Sequence, residues 1–120
     1  MTIRKLFLDD IRQPKDACYL VQDWAKLYLN DEWDVVKTHR EFVSWIKRNG
    51  VPTHVSFDHD LGDFENGVEL NGFSCAKFLV NYCIDTEQPL PKYIVHSANP
   101  VGSVNIISLF KNFEKHYNFS

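Results

Sequence analysis

The chain has 120 residues, enough for a single domain with a real core. Hydrophobic residues make up 44% and charged residues 24%, the balance of a soluble globular domain, and the net charge of -3 excludes a global basic field that would draw nucleic acid. A local basic patch, or a site for a small anionic molecule, stays open, while the apolar run near the N-terminus is far too short for a signal peptide or a membrane span.

In chain order, Ile3 to Leu8 is predicted as a short buried strand, and the acids Asp9-Asp10 with Pro14 break it into a loop. Residues 15–33 stay open: Trp24, Leu27 and Tyr28 have helical spacing, and Asn30-Asp31 would stop a short helix. Trp33 to Lys37 is predicted as the second strand, with Val35-Val36 at its centre. Thr38 then caps a helix, with Glu41 at capping-box spacing, an apolar face of Phe42, Val43, Trp45 and Ile46, and a stop at Asn49-Gly50. Thr53 to Phe57 is the third strand, followed by a loop from Leu61 to Gly72. Phe73, Ala76, Leu79, Val80 and Cys83 recur at helical spacing. Lys92 to Val95 is the fourth strand, and Asn99-Pro100 opens a last helix whose expected core contacts are Val104, Ile107, Phe110 and Phe113.

This alternation predicts an α/β fold with a mostly parallel four-stranded sheet, in one domain over residues 1–120. In such sheets ligands bind beyond the carboxyl ends of the strands. Three strands end there in polar groups: Asp9-Asp10, Asp58-His59-Asp60 and His96-Ser97-Ala98-Asn99. A buried strand gains nothing in packing from such an ending, because a buried charge needs a partner. The three endings therefore predict one site. The three cysteines, Cys18, Cys75 and Cys83, have no metal-type spacing and read as reduced thiols of a cytoplasmic protein.

Asp9, Asp10, Asp58 and Asp60 can form an acidic pocket that holds a hard cation such as Mg²⁺ or another divalent ion, or can serve as helix and turn caps. His59 and His96 can divide the roles of general base and general acid, as transfer or hydrolysis of a phosphodiester requires. Arg12 can grip a phosphate or pair with Asp9 or Asp10. Ser97 and Asn99 offer hydrogen bonds at a helix start, either to an anion or as an ordinary cap.

The segments Leu6-Phe7-Leu8-Asp9-Asp10-Ile11-Arg12, Ser56-Phe57-Asp58-His59-Asp60-Leu61-Gly62 and Val95-His96-Ser97-Ala98-Asn99-Pro100-Val101-Gly102 together resemble the cyclic-phosphate processing receiver domain family. The resemblance runs from residue 3 to about residue 107 and is less specific at Gly72 and through Ala76 to Leu79. It implies a flavodoxin-like, three-layer fold related to response-regulator receivers. It also implies activity on cyclic phosphates of nucleotides or RNA ends, with His59 and His96 as the catalytic pair.

Compared with ordinary receivers, Asp9-Asp10 look like the metal-holding acids, Asp58 like the phosphoacceptor and Ser97-Ala98 like the switch pair. Histidines at 59 and 96, Gly62 in place of a proline, and the lack of a fifth strand ending in Lys-Pro depart from that pattern. The leading expectation is a phosphoesterase acting on a small cyclic phosphate or an RNA 2′,3′-cyclic end, with Asp58 beside the two histidines. In that reading His96→Ala stops turnover and leaves the fold intact. A non-enzymatic signalling or binding module, and a metal-dependent hydrolase, remain as alternatives.

Overall fold

The computed structural model describes residues 3–117. Strands β1 (Lys5–Leu8), β2 (Asp34–Val36), β3 (His54–Phe57) and β6 (Lys92–Val95) form one sheet in the order β2-β1-β3-β6, and every pairing is parallel. β1 is buried along its whole length, as a strand covered on both faces must be.

Alternate side chains leave the sheet on opposite sides and build two clusters. Leu6, Leu8, Val55 and Phe57 meet α2 (His39–Asn49), α3 (Gly72–Thr86) and α4 (Pro100–His116) through Phe42, Ile46, Leu79, Ile106 and Phe110. Phe7 and Ile94 meet the segment between β1 and β2 through Ala17, Trp24, Tyr28 and Trp33. The result is three layers, a flavodoxin-like, receiver-like fold with helices on both faces of a parallel sheet.

The segment left open by sequence consists of two 3₁₀ turns, Pro14–Tyr19 and Gln22–Trp24, and a short helix α1, Ala25–Asn30. Pro14 starts the first turn, and the helix stops at Asp31 as expected. The loop expected over residues 61–72 instead contains a hairpin, β4 (Asp63–Glu65) and β5 (Val68–Leu70). Its turn is Asn66-Gly67, with φ of 53° and 78°, the two-residue connection that positive φ at both central positions allows.

The caps follow the sequence. Thr38 accepts from the Glu41 amide, although the Glu41 carboxylate accepts from Lys37 rather than from the cap residue. Asn99 accepts from the Gly102 amide at the start of α4. The buried stripe of α4 is Gly102, Ile106, Phe110 and Phe113. Val104, expected in the core, is 61% exposed, because Ile106 holds the face that continues to Phe110. No helix among the described residues is long and apolar enough to cross a membrane.

Candidate active site

The hydrogen-bond ladder continues one residue past each strand end. Asp9 donates its amide to Val36 at 3.1 Å, Asp58 to Leu8 at 2.9 Å and His96 to Phe57 at 2.8 Å. These three side chains therefore leave the same sheet edge in register, which is why distant segments meet there. A cleft of about 370 Å³ opens at this edge, between Asp9, Asp10, Ile11 and Arg12 on one side and Asp58, Asp60 and the stretch Ser97–Asn99 on the other. Larger depressions lie along β2 and α2 and beside β6, but polar groups there are paired, Trp45 with Asp34 and Tyr93 with Glu114.

Asp9 is almost wholly buried, and both of its oxygens are saturated. Oδ1 accepts from the Ile11 and Arg12 amides at 2.9 Å each. Oδ2 accepts from Arg12 Nη1 at 3.3 Å and faces His96 Nε2 at 3.0 Å. Burial alone would raise its pKa, but the bond from His96 and the two amides outweigh burial and lower it from 3.8 to about 2.

His96 is buried too, and its ring stacks on Phe7 with centroids 4.5 Å apart and planes at 6°. Its Nδ1 lies 2.6 Å from Ser56 Oγ, which in turn lies 2.7 Å from the Tyr28 hydroxyl. Run in the order Tyr28 to Ser56 to Nδ1, every hydroxyl proton finds an acceptor, and the imidazole proton sits on Nε2 facing Asp9. The reverse order strands one buried hydroxyl proton among the described residues, at a cost of about 1–3 kcal/mol. Ser56 and Tyr28 are site residues that sequence reasoning missed. Ser56 lies inside a motif, but nothing local to Tyr28 announces a partner 28 residues away.

Asp58 is buried at the cleft wall and accepts from the His59 amide at 2.9 Å. Burial and the neighbouring charge of Asp9 raise its pKa. Two buried carboxylates in one cleft are thus pushed in opposite directions, the pattern that separates a fixed anion from a proton carrier. Arg12 Nη1 stands 3.3 Å from Asp9 and 4.0 Å from Asp58. The pairing expected of Arg12 is made with Asp9, and no hydrogen bond among the described residues takes up its Nε or Nη2.

His59 presents Nδ1 to Asp60 Oδ1 at 2.9 Å, and Asn99 Nδ2 donates to the same carboxylate at 3.2 Å. The proton on Nδ1 meets a carboxylate, which leaves Nε2 as the acceptor. These bonds also lower the pKa of Asp60. Gly102 makes room for the ring: a Cβ there would lie 2.3 Å from His59 Cγ. Ser97 Oγ accepts from the Asn99 amide at 3.0 Å.

The expected grouping is therefore redistributed. His59 and His96 do not line the cleft as a pair. His96 sits behind Asp9 with both nitrogens engaged, while His59 stands at the edge beside Asp60. Asp10 and Asp60 line the cleft, but the close group is Asp9, Asp58 and His96, with potential ligand atoms within 4.8 Å of one another. That donor set does not fit a divalent ion as it stands. Asp9 has no free lone pair, His96 no free nitrogen, and a guanidinium lies between the two acids.

The opposed shifts give stability a defined response to acid. A carboxylate with a lowered folded pKa stabilises above its unfolded value, and that contribution disappears as pH falls toward the folded value. Asp9 therefore contributes about 2 kcal/mol that is lost between about pH 4 and pH 2. Asp58 acts with the opposite sign, since protonation as pH falls through its raised pKa relieves the burial of its charge. Urea unfolding across this range should show the loss in the parent protein and a much smaller one in Asp9→Asn.

No curated protein matches the chain. One similar solved structure is a fusion built on the yeast Spc42 trimeric coiled coil, with a TM-score of 0.56, 18% identity and cover of 91% of this chain. This chain spans 65% of that one, and the likeness concerns the fold alone. Another is the N-terminal domain of a response regulator/sensory box/GGDEF 3-domain protein from Carboxydothermus hydrogenoformans, with a TM-score of 0.47 and 15% identity, covering 93% of this chain and 97% of that one. The family model described as "Cyclic-phosphate processing Receiver domain" matches residues 4–112. A match of that extent, over a parallel sheet that gathers the acids and histidines at one edge, makes this chain a member of the cyclic-phosphate processing receiver domain family.

Proposed function

We propose that this domain is a phosphoesterase that opens a cyclic phosphate of a nucleotide or an RNA 2′,3′ end in the cleft at the carboxyl edge. Water attacks phosphorus, forming a new P–O bond, and one ring ester P–O bond breaks. The proton of the attacking water passes to His59 Nε2, and the departing alkoxide takes a proton from Asp58. The product is a phosphomonoester. Arg12 binds the phosphate through its uncommitted nitrogens, and Ser97 with the Asn99 end of α4 completes the anion site.

The observation that carries this reading is the pair of opposed carboxylates beside Arg12, with Asp9 held ionised and Asp58 biased toward its protonated form. His96 acts through Asp9 and touches no substrate, so the acid–base work falls to His59 and Asp58 rather than to two histidines.

His59→Gln tests the assignment. Positioned general base catalysis supplies about 10²–10⁴-fold in rate. The variant should lose about that factor in kcat on a cyclic nucleotide or a cyclic-phosphate RNA end, with KM little changed and the fold intact. Undiminished kcat would remove His59 from the mechanism. Binding without turnover in the parent protein would make the cleft a recognition site instead, and a stable acyl-phosphate at Asp58 after incubation with acetyl phosphate and Mg²⁺ would assign it to signalling.

A further inference from the structure

We infer that Arg12 is the resident cation of this site, occupying between Asp9 and Asp58 the position a divalent ion would need, so that the domain works on phosphate without a bound metal. The inference deepens the proposed reading and rests on it only for the phosphate. The placement of the guanidinium stands by itself.

Two buried carboxylates facing one cleft need positive charge nearby. The described residues supply it from one side chain lining the cleft, Arg12, whose Nη1 reaches both acids at 3.3 and 4.0 Å. The loop fixes this placement, because the Arg12 amide is itself bonded to Asp9 Oδ1 at 2.9 Å and the side chain folds back over the same carboxylate. With His96 on the other lone pair of Oδ2, Asp9 has nothing left for a metal. A cation bridging Asp9 and Asp58 would have to expel Arg12. The guanidinium stays charged at every working pH, so no change of protonation would open the position.

Arg12→Gln and Arg12→Lys, titrated with magnesium chloride by calorimetry beside the parent protein, test this. Removing a unit charge about 4 Å from an incoming ion should tighten Mg²⁺ binding by at least about tenfold in Arg12→Gln. Arg12→Lys keeps the charge and should bind no more tightly than the parent. If Arg12→Gln folds poorly, added Mg²⁺ should raise its melting temperature well beyond any shift in the parent, and failure to do so counts against the inference. Saturable Mg²⁺ binding in the parent that the Gln variant does not exceed would overturn it. Turnover that survives exhaustive chelation is the matching expectation for activity, and turnover that chelation abolishes would contradict it. Absence of turnover under every condition would remove the proposed reaction and leave the magnesium titration as a separate test of Arg12.

Discussion

His96→Ala will destabilise the domain by about 3 kcal/mol or more, besides removing activity. The imidazole is fully enclosed, stacked on Phe7 and bonded at both nitrogens. Truncation leaves a cavity against the Phe7 ring, withdraws a donor from the buried Asp9 carboxylate and withdraws the acceptor that the Ser56 hydroxyl uses. Each loss falls on a buried group. This departs from the expectation that His96→Ala stops turnover and leaves the fold intact. Equilibrium urea unfolding measures the effect, and a loss below about 1 kcal/mol would mean that the chain from Tyr28 to Asp9 is not closed in solution.

Gly72→Ala should be comparably severe. A Cβ at Gly72 would lie 2.0 Å from the Asp58 carbonyl oxygen and 2.9 Å from His59 Cα. These are backbone atoms, and the Gly72 amide is tied to the His59 carbonyl at 2.7 Å, so neither segment can step aside freely. The first turn of α3 must shift away from the end of β3, carrying Asp58 and His59 out of register with the cleft. Alanine gains up to about 1 kcal/mol over glycine in helix propensity, which is too little to offset such a clash. A destabilisation of about 3 kcal/mol and a fall in kcat of at least about 10²-fold are expected. A variant as stable and active as the parent would show that the contact is not this close.

The parallel order and the shared edge were legible in the sequence because the cues were local. Short apolar runs ended in Asp9-Asp10, Asp58-His59-Asp60 and His96-Ser97, and a parallel sheet must bring such ends together. The caps at Thr38 and Asn99 were legible for the same reason. The hairpin was missed as a loop, although Asn66-Gly67 between Phe64 and Val68 carries a two-residue turn signal. The hidden part was non-local. Whether a histidine at a strand end faces solvent depends on what covers it, and His96 is covered because Ser56 is small enough for the ring to reach Phe7 across it. Tyr28 joins that chain from the segment whose periodicity was too weak to place. Val104 and Ile106 differ only in which face of α4 the sheet selects, which composition alone does not decide.

The most direct measurement is ³¹P NMR of the parent protein with a nucleoside 2′,3′-cyclic phosphate, in the presence of chelator. The cyclic resonance should be replaced by that of a phosphomonoester. A cyclic signal that persists unchanged, for this compound and equally for cyclic mononucleotides, cyclic dinucleotides and cyclic-phosphate RNA ends, would contradict the proposed reaction.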